Sequence, residues 1–344
     1  MKKLFPALAC VLTVCMLLAS ALCPAFAEGA DSQSLPTPEP TYEPGPNDFI
    51  YDEDSGGEFK PLPIDQTGGA KLPSKVKYNA KVNIYQDPTI RVEKHRAYSK
   101  EFRGDYAYIL IEIKDPSQIR TASADDTWRT SSQMRADVIA KRKNAVVAIN
   151  GDYCAAFSGN KANNYIFRQG ELFRDTVAPE LDMLLIDEDG DLHVITSDND
   201  LASVDKTQID GKKVINILQF GPALVIDGEK VADEILTDPK RATGYVYADS
   251  HAVQRMVIGQ IDHLHYIVLC TWNPGMSLLQ VRDLAMSIAP CKVLYNLDGG
   301  NSAQMVFLGK KINNIRAGQT TADIRPITDI IYFASAWFYP DSKK

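Results

Sequence analysis

The segment Val293-Leu294-Tyr295-Asn296-Leu297-Asp298-Gly299-Gly300-Asn301-Ser302 runs from a mostly apolar stretch directly into a polar turn carrying two glycines. Such a short apolar run, bounded by turn residues, suits a strand buried on both faces. Its end has two readings. Asp-Gly is a strong hairpin signal. Alternatively, Gly299 and Gly300 let the backbone approach a ligand closely, and Asp298 stands at the strand's open end with Asn296, Asn301 and Ser302 offering hydrogen bonds around it. A helix is expected just upstream over 277–289, after Gly275, because Leu278, Val281, Leu284, Ala285 and Ile288 recur at helical spacing.

Working outward, Ala145-Val146-Val147-Ala148-Ile149-Asn150-Gly151-Asp152-Tyr153 repeats the arrangement, an apolar strand breaking into a polar loop. If the two strands end side by side, Asn150, Gly151 and Asp152 converge on Asp298; taken alone, the segment also reads as a plain turn. Further short β-rich runs fall at 106–113, 183–186, 192–196, 244–247, 256–261, 265–270 and 330–334, and a second helix is expected over 131–142 behind a serine cap. Many strands with few helices predict an α+β domain: a mixed, largely antiparallel sheet with a few packed helices.

Arg255 opens the apolar run Met256-Val257-Ile258-Gly259, where a bound anion explains a charge better than solvent does. A guanidinium fork suits phosphate; an edge arginine paired with a carboxylate is the plainer alternative. Arg325, in Ile324-Arg325-Pro326-Ile327-Thr328-Asp329, is a similar case, with a structural salt bridge its commoner fate. His263 and His265 have the spacing of two zinc ligands on one strand face, but no third-ligand motif accompanies them. Asp187, Asp189 and Asp191 surround Gly190 too early for a calcium loop, so a β-turn is expected there. The chain carries no phosphate-binding loop, nucleophile elbow, HExxH helix or dinucleotide fingerprint, and no cofactor or metal is expected.

A net charge of -7 over 344 residues, with no basic block outside the termini, argues against nucleic acid as a partner. Lys2 and Lys3 precede an apolar run ending near Leu22, and Ala25-Phe26-Ala27 is a signal-peptidase site, so residues 1–27 read as a signal peptide and the mature chain as secreted or held on the outer face of the cell envelope. An uncleaved anchor is the rival, and the only expected route to the membrane. Residues 28–74, rich in Pro, Gly, Ser and acidic side chains, read as a disordered linker, and 75–344 as the folded domain. Of six cysteines only Cys154, Cys270 and Cys291 lie beyond the targeting segment, too few and too odd for a disulfide framework.

Taken in order, several blocks resemble the phosphodiester glycosidase family: Ala148-Ile149-Asn150-Gly151-Asp152-Tyr153, Phe167-Arg168-Gln169-Gly170-Glu171-Leu172, Phe220-Gly221-Pro222-Ala223-Leu224-Val225, Gln254-Arg255-Met256-Val257-Ile258-Gly259, the Asp298 segment and the Arg325 segment. The resemblance runs from about residue 120 to 334. Met256 stands where relatives commonly carry Thr, and Asn301 where they often carry Gly. The resemblance implies a hydrolase that cleaves a glycosyl 1-phosphodiester, of the N-acetylglucosamine 1-phosphodiester type, at the anomeric carbon. The departing phosphomonoester is already a stable anion, so such chemistry needs a carboxylate and cationic groups more than a strong acid. Asp298 is then the expected nucleophile or general base, Asp152 a second carboxylate, Arg255 and Arg325 phosphate contacts. Asn150, Gly151, Asn296, Gly299, Gly300, Asn301 and Ser302 are the expected sugar-side contacts. A phosphorylated surface glycan is the expected partner, and a non-catalytic module that binds such a glycan is the alternative.

Overall fold

The computed structural model describes residues 45–51, 56–77, 79, 81–128, 132–152, 164–238, 253–314 and 324–339. The expected signal peptide, the strand at 244–247, Ser131, Tyr153 and Cys154 lie outside the described residues. Among the described residues, no helix is long and apolar enough to cross a membrane.

The fold is mostly β and built from several sheets, which overturns the expected α+β domain. Three α-helices occur among the described residues, α1 (Ala136–Arg142), α2 (Asp233–Thr237) and α3 (Leu278–Ile288), and all are short. Apolar runs mark strands without saying which strands share a sheet, so one mixed sheet was expected where separate sheets form. Charge also hid strands. Ile90–Ser99 carries Arg91, Glu93, Lys94, His95 and Arg96, yet pairs along its whole length with Gly104–Ile113, because its first half faces the core through Ile90 and Val92 and its second half reaches past the core into solvent.

A nine-stranded sheet holds Val293–Leu297 between Met256–Asp262 and Ala223–Ile226. A five-stranded sheet holds Ala145–Asn150 between Met305–Phe307 and Asp329–Ala334. With neighbours on both sides and apolar layers on both faces, every residue of Val293–Leu297 and Ala145–Asn150 is buried, as their continuous apolar sequence requires. The two sheets face each other across a core containing Ile109, Ile258, Tyr295, Val147, Ile331 and Phe333. Helix α3 covers the outer face of the larger sheet through Leu278, Val281 and Ala285, and α1 covers the smaller one through Ala136, Ile139 and Ala140. A six-stranded sheet that includes Met183–Asp187, Lys212–Gln219 and Ile166–Arg168 abuts both.

Ser277 caps α3 reciprocally: its Oγ accepts from the Gln280 N–H and the Gln280 Oε1 accepts from its N–H, closing the helix start where the sequence placed it. By contrast α1 begins at Ala136 with no side-chain cap, later than expected, because Met134 is held in a bridge to Ile327. The expected linker also ends earlier than residue 74. Glu58–Phe59 pairs with Trp337–Phe338, and the buried Arg120 guanidinium donates to the carbonyls of Pro63, Asp65 and Thr67. Those side-chain bonds fix a segment that has no periodicity of its own.

Candidate functional site

Antiparallel register decides what meets at the end of Val293–Leu297. Met256 lies opposite Leu297 and Val257 opposite Asn296, so Arg255, one residue before its strand, falls beside the Asp298 turn. That turn is pinned by Gln254, whose carbonyl accepts from the Gly300 N–H at 2.9 Å. A Cβ on Gly299 would lie 2.5 Å from the same oxygen, so no other residue fits there without moving the turn.

From the other sheet, the Asn150 side chain crosses to the same turn. Its Nδ2 donates to the Asp298 carbonyl at 2.7 Å while its Oδ1 accepts from the Gln304 N–H at 3.1 Å. Asn150 is fully buried and both ends of its amide are engaged, so it fastens the two strand ends together from behind. Asn296 is likewise buried, donating to the Gly221 carbonyl at 2.8 Å.

Asp298, Gly299, Gly300, Asn301, Arg255 and Arg325 line one pocket of about 100 Å³, together with Phe220 and Val253, which the sequence did not nominate. Asn150, Gly151, Asp152, Asn296 and Ser302 are not on its wall. Asp298 is half-buried on the pocket wall. This burial, reinforced by the charge of Asp152, pushes its carboxyl up from 3.8 to about 6. Hydrogen bonds from the Ser302 hydroxyl and the Gly299 N–H, and the charge of Arg325, act the other way and are outweighed. Arg325 Nη1 donates to Ser302 Oγ at 3.2 Å, so the exposed guanidinium reaches the carboxylate through one hydroxyl. Arg255 is buried, its Nε donating to the Met276 carbonyl at 3.1 Å, which fixes the plane of its fork against the pocket.

Asp152 stands in a buried ion network. Its Oδ2 accepts from the Gln219 N–H at 2.9 Å and pairs with Arg168 Nη2 at 3.0 Å; the same nitrogen lies 3.3 Å from Asp329 Oδ2. The Arg168 guanidinium also sits 5.2 Å from the Trp128 ring centre. Gly151 belongs to this network, because a Cβ there would lie 2.3 Å from Asp329 Oδ2. Arg168 and Asp329 had no role assigned from sequence. The signal for Arg168 was the one that singled out Arg255, a charge in an otherwise apolar strand.

His263 and His265 do not act together: His263 Nδ1 lies 3.0 Å from Asp191 Oδ1, and His265 Nε2 lies 3.4 Å from Glu112 Oε1. Residues 187–191 form the expected turn, in which the Asp187 Oδ1 accepts from the N–H groups of Asp189 and Asp191, and Lys212 bridges Asp189 and Asp191.

Residues 143–334 match the phosphodiester glycosidase family, a span that contains every residue of the pocket and of the Arg168 network except Trp128. No curated protein sequence matches the chain. Among solved structures it is similar to the catalytic domain of the zebrafish N-acetylglucosamine-1-phosphodiester alpha-N-acetylglucosaminidase, described as auto-inhibited by its pro-peptide, with 16% identity and a TM-score of 0.58 over 81% of this chain and 88% of that one. That likeness is one of fold. Fainter ones are to a hypothetical protein from Synechocystis, with 13% identity and a TM-score of 0.46 over 72% of this chain and 63% of that one, and to an exported-protein candidate from Burkholderia pseudomallei, with 11% identity and a TM-score of 0.42 over 67% and 74%.

Proposed function

Because the chain belongs to the phosphodiester glycosidase family, we propose that its pocket hydrolyses a glycosyl 1-phosphodiester, splitting the bond between the anomeric carbon and the phosphate oxygen. The observation that carries this reading is a carboxyl pushed up to about 6 sharing one small pocket with two guanidinium groups, Arg255 and Arg325. Arg255, fixed by the Met276 carbonyl, and Arg325, held at Ser302, balance the two negative charges of the phosphomonoester as it departs. The leaving oxygen keeps the bonding electron pair, so it needs little protonation. Water supplies the new bond to the anomeric carbon, and Asp298, mostly ionised at neutral pH yet close enough to it to take a proton, is the base that receives the water's proton. The products are the free sugar and a phosphomonoester.

In this reading Asp152 acts through its charge, which helps hold Asp298 a proton acceptor, and Asn150 acts as a positioning residue by gripping the Asp298 carbonyl. Asn301, Gly299 and Gly300, with the apolar Phe220 and Val253, are the pocket-wall groups left to meet the sugar. The charged N-terminus, apolar run and Ala25-Phe26-Ala27 site support export, and a phosphorylated envelope or extracellular glycan as the target.

The test is product analysis after incubation with N-acetylglucosamine 1-phosphodiesters, beside neutral aryl glycosides and the Asp298→Asn variant. Free sugar plus phosphomonoester, lost in the variant, supports the proposal. Cleavage of neutral glycosides with indifference to phosphate, or binding of phosphorylated glycans without turnover by any sugar phosphodiester, rejects it.

A further inference from the structure

Past the core, the inner face of the nine-stranded sheet continues as an overhang that carries positive charge. Lys94 and Arg96 lie opposite Ile109 and Ala107, both core residues, so the two cations point to the core side of the sheet. The Lys94 ammonium sits 5.3 Å from the Phe307 ring centre, and the Arg96 guanidinium 5.3 Å from that of Trp272, so aromatic rings hold both in place. Lys311 approaches from the edge of the five-stranded sheet. Its Nζ donates to the Asn313 carbonyl at 2.7 Å, and Arg96 Nη2 donates to Oδ1 of the next residue, Asn314, at 3.2 Å. Two sheets thus bring their cations to one short stretch of chain.

The charge balance there favours an anion. Among the described residues neither Arg96 nor Lys311 forms an ion pair. Burial lowers the pKa of Lys94, and the charge of Arg96 adds to it; burial likewise lowers Lys311, with Arg135 and Arg96 pushing the same way and Cys270 and Asp137 opposing. Asp137 is taken up by Arg135 at 3.0 Å, and Asp105, on the inner face of the overhang, accepts from Asn273 Nδ2 at 3.1 Å. The cations stay in excess. A phosphate suits them, because the guanidinium fork meets two of its oxygens and the ammonium groups add charge. Arg96 is exposed and Lys94 and Lys311 are half-buried, so the cluster opens to solvent at Arg96. Tyr98, the next residue on the same face, is 55% exposed and offers a ring on which the C–H face of a sugar can lie.

We propose that Lys94, Arg96 and Lys311 form a second binding site, for a phosphate group carried by a glycan, with Tyr98 receiving the adjoining sugar. Register ties this site to the Asp298 turn. Leu297, Met256, Cys270, Ala107 and Arg96 lie in one row across the sheet, four strand spacings from end to end, or about 19 Å. Leu297 directly precedes Asp298, so a glycan with repeated phosphates spans the two sites. That span rests on the function proposed above, whereas the phosphate site itself does not.

The test follows the Arg96 Nε–H signal and the Lys94 and Lys311 Cε–H signals by NMR, in the Asp298→Asn protein so that nothing is turned over. Inorganic phosphate should shift all three to saturation, while chloride at equal ionic strength does not. Arg96→Gln should weaken the response of the two lysines by about tenfold or more, the loss of a charge-assisted hydrogen bond. An oligomer of phosphodiester-linked N-acetylglucosamine should bind the same residues more tightly than inorganic phosphate, and Tyr98→Ala should remove that advantage. Shifts that fail to saturate, that chloride reproduces or that survive Arg96→Gln overturn the site. Equal affinity for the oligomer and for inorganic phosphate overturns its assignment to a glycan.

Discussion

Replacing Asp298 with Asn should abolish turnover and, above pH 6, make the protein more stable. The carboxyl moves from 3.8 when exposed to about 6 in the fold, roughly 2 units, which at about 1.4 kcal/mol per unit amounts to about 3 kcal/mol spent on keeping it ionised in the folded state. Asparagine keeps the shape and can still accept from the Ser302 hydroxyl and the Gly299 N–H, but it has no charge to desolvate. The direction in pH follows from the raised folded value. The folded state holds the Asp298 proton more tightly than the unfolded chain does, so this group's contribution is fully present below 3.8 and is lost as pH rises through about 6. Urea unfolding of both proteins across that range should give a difference that grows between the two values and levels off near 3 kcal/mol in the variant's favour. In the wild type, kcat/KM should fall as pH drops below about 6 and the base becomes protonated. Parallel stability curves would refute the burial argument, and turnover by the folded variant would refute the role of Asp298.

Ser302→Ala removes a hydrogen bond that lowers the Asp298 pKa, so the acid limb of the kcat/KM profile should move to higher pH with the fold intact. Arg168→Met leaves Asp152 and Asp329 buried without their cation, and denaturant unfolding should show a loss of about 3–5 kcal/mol. Gly151→Ala drives a methyl group into the Asp329 carboxylate and should cost about 1–3 kcal/mol in unfolding measurements, with kcat falling more than KM rises as Asp152 shifts. His193 is raised above 6.5 chiefly by its hydrogen bond to Asp187; its stabilising contribution is complete below 6.5 and lost as pH rises through its folded value, so His193→Gln should flatten that part of the pH-stability curve without changing turnover.

What the sequence disclosed about the site was the chain's punctuation, where an apolar strand stops and polar residues begin. That was enough to bring Asn150 and Asp298 under one suspicion, and the two ends do meet, through the 2.7 Å bond from the Asn150 amide to the Asp298 carbonyl. It was not enough to say which side chains face the pocket and which stand behind it. That depends on register: Asn296 and Leu297 alternate across a strand buried on both faces, and sequence periodicity is silent when both faces are apolar. The sheet arrangement was hidden for the same reason. Arg168 was visible as a charge in an apolar strand, but its partners, Asp152 and Asp329, come from loop and strand positions 16 residues before it and 161 after it, a distance across which no local pattern carries information.

The two carboxylates near the pocket are treated in opposite ways, and the difference explains the division of labour proposed for them. Asp152 receives a guanidinium directly, at 3.0 Å, together with a backbone N–H, inside a network closed off from solvent. Asp298 is reached by Arg325 through the Ser302 hydroxyl and stands on the pocket wall. Asp152 is thereby built into the fold as the partner of Arg168, while the Asp298 carboxyl, pushed up to about 6, can exchange its proton near neutral pH. Arg168 is not on the pocket wall, yet it fixes the place of Asp152, whose charge adds to the burial that raises the Asp298 carboxyl.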